Sequence, residues 1–366
     1  ASAWRPTDAV LDTGDRRFYK PRTLSQQPTF PFRFGRYELT QLLARGGMGE
    51  VFLGTLHGAA GWKKPVVVKR VLPHLAEDPE FLARFLEEAR IAVSLSHGNL
   101  VPVLELGEVD GSYFLAMEYV DGWDLRSLHR EAQARGERLP DNLVALIGNE
   151  VCKGLAYVHA RLGEDGRPAG LVHRDVSLSN ILVSRDGEVK LVDFGIATAK
   201  GRAVLTITGE LRGKLAYMSP EQARGERVDQ RSDVFSLGIV LFELFTGQRP
   251  FDGTSDLEML RRIQDNDRQS IHDLRPDLDP RLQDIVEQAL SPDRDDRFAD
   301  GDEMHAALAG SLFGDTGPVT SARLKRYLAL RRPAGSSGPR LGLNDMLNAE
   351  LDRLGSDRSG TPSRPT

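Results

Sequence analysis

The chain has 366 residues, 40% hydrophobic and 28% charged, so at about 150 residues per domain it suggests two domains or one large bilobal unit with a sizeable core. Its 48 basic and 53 acidic residues give a net charge of -5, which supplies no whole-chain attraction to nucleic acid or anionic membrane. A single cysteine, Cys152, excludes a disulfide framework and a cysteine-based zinc site, and no apolar run reaches the ~18 residues of a membrane span, so the chain reads as soluble and cytoplasmic.

Residues 1–34 carry Pro6, Pro21, Pro28 and Pro31 without a sustained period and read as an extended arm. Strand-like patterning starts near Tyr37, runs into a glycine cluster, and resumes at Val51-Phe52-Leu53; Val66-Val67-Val68 is a fully apolar strand. Phe81 to Leu95 shifts to helical spacing, with Phe81, Leu82, Phe85, Ala89, Ala92 and Val93 on one face. Strands Val101 to Leu106 and Tyr113 to Tyr119 follow. Beyond Asp121-Gly122 the pattern is mainly helical, interrupted by two short strands, 181–183 and 189–192, around the turn Arg185-Asp186-Gly187. Strands first and helices later imply an α+β protein with a sheet lobe and a helical lobe. Globular patterning ends near Phe313. Residues 314–366 read as a low-complexity tail with two helix candidates, a basic one from Ser321 to Arg332, simplest as a solvated helix, and an apolar stripe from Leu343 to Leu354 that could dock on the domain or bind a partner.

The glycine cluster reads Leu43-Ala44-Arg45-Gly46-Gly47-Met48-Gly49-Glu50-Val51. Glycines let backbone amides approach phosphate oxygens without a Cβ in the way, although tight turns alone also use them. Lys69 sits in a hydrophobic strand and needs a carboxylate or a phosphate nearby. The following helix offers Glu87 and Glu88, and Glu88 lies on the side of Phe85 and Ala92. Next come His173-Arg174-Asp175-Val176-Ser177-Leu178-Ser179-Asn180 and Asp193-Phe194-Gly195. These would bring Asp and Asn oxygens to one end of a hairpin, a hard donor set suited to Mg²⁺. The chain has no P-loop string, and its glycine cluster precedes a strand rather than a helix, which argues against a nicotinamide-dinucleotide fold.

In this order the motifs resemble the protein kinase family, more narrowly the bacterial eukaryotic-like Ser/Thr protein kinases, over about Tyr37 to Phe313. Ser219-Pro220-Glu221, Ser232-Asp233-Val234-Phe235 and the pair Pro292 and Arg297 also match. The resemblance implies a bilobal α+β fold, with residues 35–313 as the kinase domain, an antiparallel-sheet N-lobe (35–119) carrying one main helix, and a mainly helical C-lobe (123–313). It implies ATP as cofactor with Mg²⁺, or Mn²⁺ in its place, and proteins as substrates. Gly46, Gly47, Met48 and Gly49 would cover the phosphates, with Lys69 on the α/β-phosphates and paired to Glu88. Leu43, Val51, Val67 and Leu182 would line the nucleotide slot. Met117 would be its gatekeeper, and Glu118 to Val120 a hinge reading adenine through the backbone. Asp175 would accept the substrate hydroxyl proton, and Asn180 and Asp193 would hold the metal. Glu221 with Arg297 would anchor the activation segment, and Asp233 would cap the catalytic loop.

Five residues, in four places, depart from the family pattern. Ala44 replaces the first glycine and Val67 the usual small residue; Ser177-Leu178 stand where the family has Lys-Pro, and Lys214 stands where it has Thr. A hydroxyl and an ammonium have thus exchanged chain positions, so Lys214 is expected to restore the missing charge at the catalytic centre, with Ser177 as its neighbour. The same departures support a competing expectation, a nucleotide-binding pseudokinase scaffold. Arg174 is expected to meet a phosphorylated activation-segment residue, Thr206 or Thr208 before Thr198 or Ser219, with Arg212 as a further partner. Cys152 and His173 are expected to be packing residues.

Overall fold

The computed structural model describes residues 29–331 apart from 48, 164, 194–214 and 315–316, together with all but the side chains of 88, 313, 314 and 317. Six strands form the sheet half: Phe32–Phe34 (β1), Tyr37–Arg45 (β2), Gly49–His57 (β3), Lys63–Val71 (β4), Val103–Val109 (β5) and Ser112–Glu118 (β6). They make one antiparallel sheet in the order β1-β2-β3-β4-β6-β5. Consecutive residues of a strand face opposite sides, so the three buried valines Val66, Val67 and Val68 show that both faces of β4 are covered. On one side, Tyr37, Leu39, Phe52, Val66, Val68 and Phe114 form an outer cluster. The other side packs on helix α2.

Pro73–Ala76 (α1) and Pro79–Ser94 (α2) lie between β4 and β5. Asp78 caps α2 by accepting from the backbone N–H groups of Glu80 and Phe81, and Pro79 takes the first-turn position where no N–H is needed. Phe85, Ala89 and Ala92 are buried as the helical period predicts, but Val93 is 44% exposed. It lies one residue past the buried Ala92, and an apolar stripe of limited width does not reach it.

The helical half comprises Gly122–Asp124 (β7), Leu125–Ala134 (α3), Asp141–His159 (α4), Ile181–Ser184 (β8), Val189–Leu191 (β9), Pro220–Ala223 (α5), Arg231–Thr246 (α6), Asp256–Asp265 (α7), Ile271–Leu274 (α8), Pro280–Ala289 (α9) and Gly301–Ala309 (α10). Helix α6 is buried from Ser232 to Phe245 and forms the axis of this half, with α4, α9 and α10 around it. It ends at Gly247, whose left-handed φ of 82° lets its N–H close on Glu243 O. The strands β7, β8 and β9 form a separate small sheet. No helix among the described residues is long and apolar enough to cross a membrane.

Both ends of the domain extend further than the patterning predicts. Phe32–Phe34 is a paired strand, not part of an extended arm, because Phe32 and Phe34 pack on Phe52 and Phe114. Beyond α10, Phe313–Gly314 (β10) pairs with Gly317–Pro318 (β11), and Ser321–Ala329 forms helix α11. That helix is not solvated as expected: Leu324 and Leu328 lie in the main core, spaced four apart on one face. Residues 1–28 and 332–366, including the stripe Leu343 to Leu354, lie outside the described residues.

Candidate active site

The roof of the site is the turn between β2 and β3. Gly46 N–H donates to Gly49 O at 2.8 Å and closes it. A Cβ on Gly49 would stand 2.5 Å from Arg70 O, so only glycine lets β3 lie this close to β4. Ala44 has no left-handed φ and pairs with Val51 in the ladder, so replacing a glycine there imposes no backbone strain. Met48 lies outside the described residues. Below the turn, Leu43, Val67, Met117, Val120 and Leu182 belong to one buried cluster, with Val51 packed against it. All six slot residues expected from the sequence therefore meet between the two lobes. At the hinge, Glu118 N–H is committed to Pro102 O at 3.0 Å, so an adenine contact would fall to other backbone groups of Glu118 to Val120.

Lys69 lies on β4 beside this cluster, and its Nζ is 2.9 Å from Asp193 Oδ2. The side chain of the expected partner Glu88 is outside the described residues; its backbone lies on α2, next to the buried Ala89. The β8–β9 hairpin brings the remaining groups together. Asn180 precedes β8 and Asp193 follows β9, and Val192 N–H donates to Asn180 O at 3.0 Å, which ties the two arms at that end. Asn180 Nδ2 donates to Asp175 O at 2.9 Å, so its amide turns its oxygen end elsewhere and its nitrogen fixes the catalytic loop. Asp193 and Arg174 adopt left-handed φ values of 54° and 66°. Such a conformation costs a side-chain-bearing residue about 1–2 kcal/mol, and strain of this kind collects at functional sites.

Burial organises the support beneath. Asp233 is fully buried on α6, where it accepts from His173 N and Arg174 N, both at 2.7 Å. His159 Nε2 also meets Asp233 Oδ2 at 2.9 Å, and His159 Nδ1 accepts from Gly301 N–H at 3.2 Å. The Nδ1 acceptor role leaves the proton on Nε2, which donates to the carboxylate. His159 thus couples α4, α6 and α10 to the catalytic loop, a role its sequence position does not reveal. His173 is wholly buried, as expected of a packing residue, and burial holds its pKa below the usual histidine value. Cys152 is likewise buried, and burial pushes its thiol up.

Further support comes from α5. Glu221 Oε1 and Oε2 accept from Arg297 Nη1 and Nη2 at 2.8 and 3.1 Å, and Ser232 Oγ donates to the same carboxylate. Ser219 is buried and forms a capping box with Gln222, so its hydroxyl is committed to structure and Ser219 drops out of the phosphorylation candidates. Gln222 Nε2 donates to Arg174 O at 3.1 Å, a link from α5 to the catalytic loop that no motif signals. Ser177 is 5% exposed and Leu178 belongs to the core, so both pack inward, and as neutral side chains neither supplies the charge of the lysine that the family places there. Phe194, Gly195, Thr198, Thr206, Thr208, Arg212 and Lys214 lie outside the described residues. The donor set suits Mg²⁺: one carboxylate and one amide oxygen at a hairpin end supply the few hard protein ligands this ion takes.

A family model described as the protein kinase domain matches residues 37–310. "Tyrosine-protein kinase MasK" of Myxococcus xanthus is 40% identical over 303 residues, covering 82% of this chain and 47% of the relative. "Serine/threonine-protein kinase PrkC" of Bacillus subtilis is 33% identical over 281 residues, covering 77% of this chain and 41% of the relative. The chain therefore spans less than half the length of these two curated relatives. The crystal structure of the Mycobacterium tuberculosis PknI kinase domain superposes with a TM-score of 0.58 at 29% identity, covering 78% of this chain and 99% of that one. With the family model spanning most of the two lobes, and the cleft between them assembled as described, the chain belongs to the protein kinase family, among its bacterial eukaryotic-like members.

Proposed function

We propose that the chain is an ATP-dependent serine/threonine protein kinase, which transfers the γ-phosphoryl group to a protein hydroxyl and autophosphorylates its activation segment. The observation that carries this reading is the ion pair between Lys69, on β4 beside the apolar slot, and Asp193, at the end of the hairpin that also bears Asn180. Leu43, Val51, Val67, Met117 and Leu182 would hold the adenine ring by contact area, and the hinge backbone near Val120 would orient it. The glycine turn and Lys69 would fix the phosphates, with Glu88 steadying Lys69. Asp193 and Asn180 would hold Mg²⁺, which when bound neutralises phosphate charge. Asp175 would orient the substrate hydroxyl and accept its proton. Positioning and electrostatics supply nearly all of the rate in such transfers.

Serine/threonine preference rests on relatives such as PrkC and several actinobacterial kinases whose names state it, against one whose name states tyrosine. A second reading, a nucleotide-binding scaffold with weak transfer, would follow from the uncharged Ser177-Leu178 standing where the family has Lys-Pro. Lys214 is proposed to supply the charge they lack. Incubation with labelled Mg-ATP and a generic protein substrate tests the reading. We expect label on serine or threonine, abolished by Asp175→Asn. Nucleotide binding with no label above the Asp175→Asn background would select the scaffold, and label confined to tyrosine would reverse the residue preference.

A further inference from the structure

The helix α11 lies beyond the residues that the kinase family model matches, yet it is anchored as firmly as a core element. Leu324 and Leu328 are 0% and 1% exposed, and Val319 just before the helix is 7% exposed. The helix is seated on the turn of the β8–β9 hairpin. A Cβ on Gly187, whose φ is +82°, would stand 2.2 Å from Ser321 O and 3.0 Å from Lys325 N. The glycine thus serves two needs, the left-handed turn and the close approach of the helix backbone. Lys325 Nζ pairs with Asp186 Oδ1 of the same turn at 2.6 Å. At the far end of the helix, Arg331 bonds Glu137 in the α3–α4 connection and lies 3.8 Å from the centre of the Tyr327 ring.

The opposite end of this hairpin carries Asn180 and Asp193. The four residues of β8 span about 13 Å at about 3.3 Å each, so the seat of α11 and the proposed metal ligands are the two ends of one short, stiff element. The hinge connector holds the same turn: Arg185 N–H donates to Asp121 O at 2.8 Å, and the Arg185 guanidinium meets the Asp121 carboxylate at 2.9 Å. The hairpin is therefore gripped at its turn by the hinge connector on one side and by α11 on the other.

We propose that Val319–Arg331 is a positioning strap for the nucleotide site. By clamping the hairpin turn it sets the tilt at which the other end presents Asn180 and Asp193 to the metal. The strap residues touch neither metal nor nucleotide and act through the hairpin. The inference rests on the kinase reading for the identity of the ligand, but not for the mechanical coupling, and the two can fail separately.

The full chain is compared with Leu324→Ser/Leu328→Ser, which removes the apolar seat, and with Lys325→Glu, an exposed reversal that leaves the core intact. The first readout is the Mg²⁺ concentration that half-saturates binding of a fluorescent ATP analogue. We expect the double variant to need about tenfold more Mg²⁺, the lower range for loss of a support behind metal ligands. Lys325→Glu should need up to about fivefold more, the limit for an exposed pair. Binding without Mg²⁺ should be unchanged in both. The second readout is amide hydrogen exchange at Leu182 and Val192, which should quicken in the variants. Folded variants with wild-type Mg²⁺ dependence, and with faster exchange confined to Arg185–Glu188, would overturn the strap. If the double variant does not fold, Lys325→Glu decides by the same two readouts. A wild-type chain that binds no nucleotide would sink the kinase reading, and the exchange arm alone would then decide the strap.

Discussion

Arg297→Ala should be among the most damaging single substitutions in the helical half. The Arg297 side chain is fully buried and that of Glu221 is 3% exposed. Arg297 donates to both Glu221 oxygens and to the carbonyls of Ser291, Pro292 and Arg231, and its guanidinium lies 4.6 Å from the centre of the Phe235 ring. Removing it leaves a buried carboxylate with Ser232 as its remaining named side-chain donor, and breaking such a pair costs about 3–5 kcal/mol. At about 2–4 °C per kcal/mol for a domain of this size, the melting temperature should fall by on the order of 10 °C. Glu221→Ala should cost less, because the guanidinium keeps three carbonyl acceptors and the ring. The double variant should be more stable than the sum of the singles by about 2 kcal/mol, as expected for groups in direct contact. Urea and thermal unfolding should be run near pH 7.5. Burial pushes the Glu221 carboxyl up, but hydrogen bonds from Arg297 and Ser232 outweigh it and hold its pKa below the usual value of 4.5. The pair's contribution is therefore complete above pH 4.5 and lost as the pH falls through the lower folded value. A loss under ~1 kcal/mol for Arg297→Ala, or single effects that add to within ~0.5 kcal/mol, would refute the argument.

Three further predictions concern the cleft and its surroundings. Glu50 is 4% exposed and bridges Arg45 on β2 and Arg70 on β4, opposite them in the ladder. This clamps both arms of the glycine turn, so Glu50→Ala should raise KM for ATP about tenfold, or about 1.4 kcal/mol, and leave kcat within a factor of about two. Steady-state kinetics with an unchanged KM would refute it. Lys214→Ala should lower phosphoryl transfer by about 10²–10³, the scale for losing one transition-state charge contact; an unchanged rate, with Asp175→Asn inactive, would remove Lys214 from the catalytic centre. Burial holds the pKa of both His129 and His173 below the usual histidine value of 6.5. The unfolded chain takes up their protons as the pH falls through 6.5 while the folded chain resists, so stability falls on the acid side of 6.5. His129→Leu should flatten the decline of melting temperature between pH 7 and pH 5.5, and a slope equal to wild type would show that His129 does not contribute.

Much of the site was legible from residue order alone, because nucleotide chemistry constrains residue type locally. A turn that approaches phosphate needs glycine, a lysine in an apolar strand needs an anion, and a hard metal needs oxygen ligands such as those of Asp and Asn. Strand alternation and helical period likewise mark β2–β6 and α2 without tertiary information. Only the folded chain decided which distant groups became neighbours. His159, Gly301 and Asp233 are far apart in sequence, and their meeting depends on how α4, α6 and α10 pack. Gln222 reaches Arg174 for the same reason. Helix α11 carries a basic, solvent-like pattern with only two fully buried leucines, so its docking could not be read locally. It depends on a glycine turn contributed by a hairpin more than a hundred residues earlier, which leaves room for a helix backbone where any other side chain would stand. Local patterns specify the period of an element and its chemistry, whereas the surface that receives its apolar face exists only once the rest of the chain has folded.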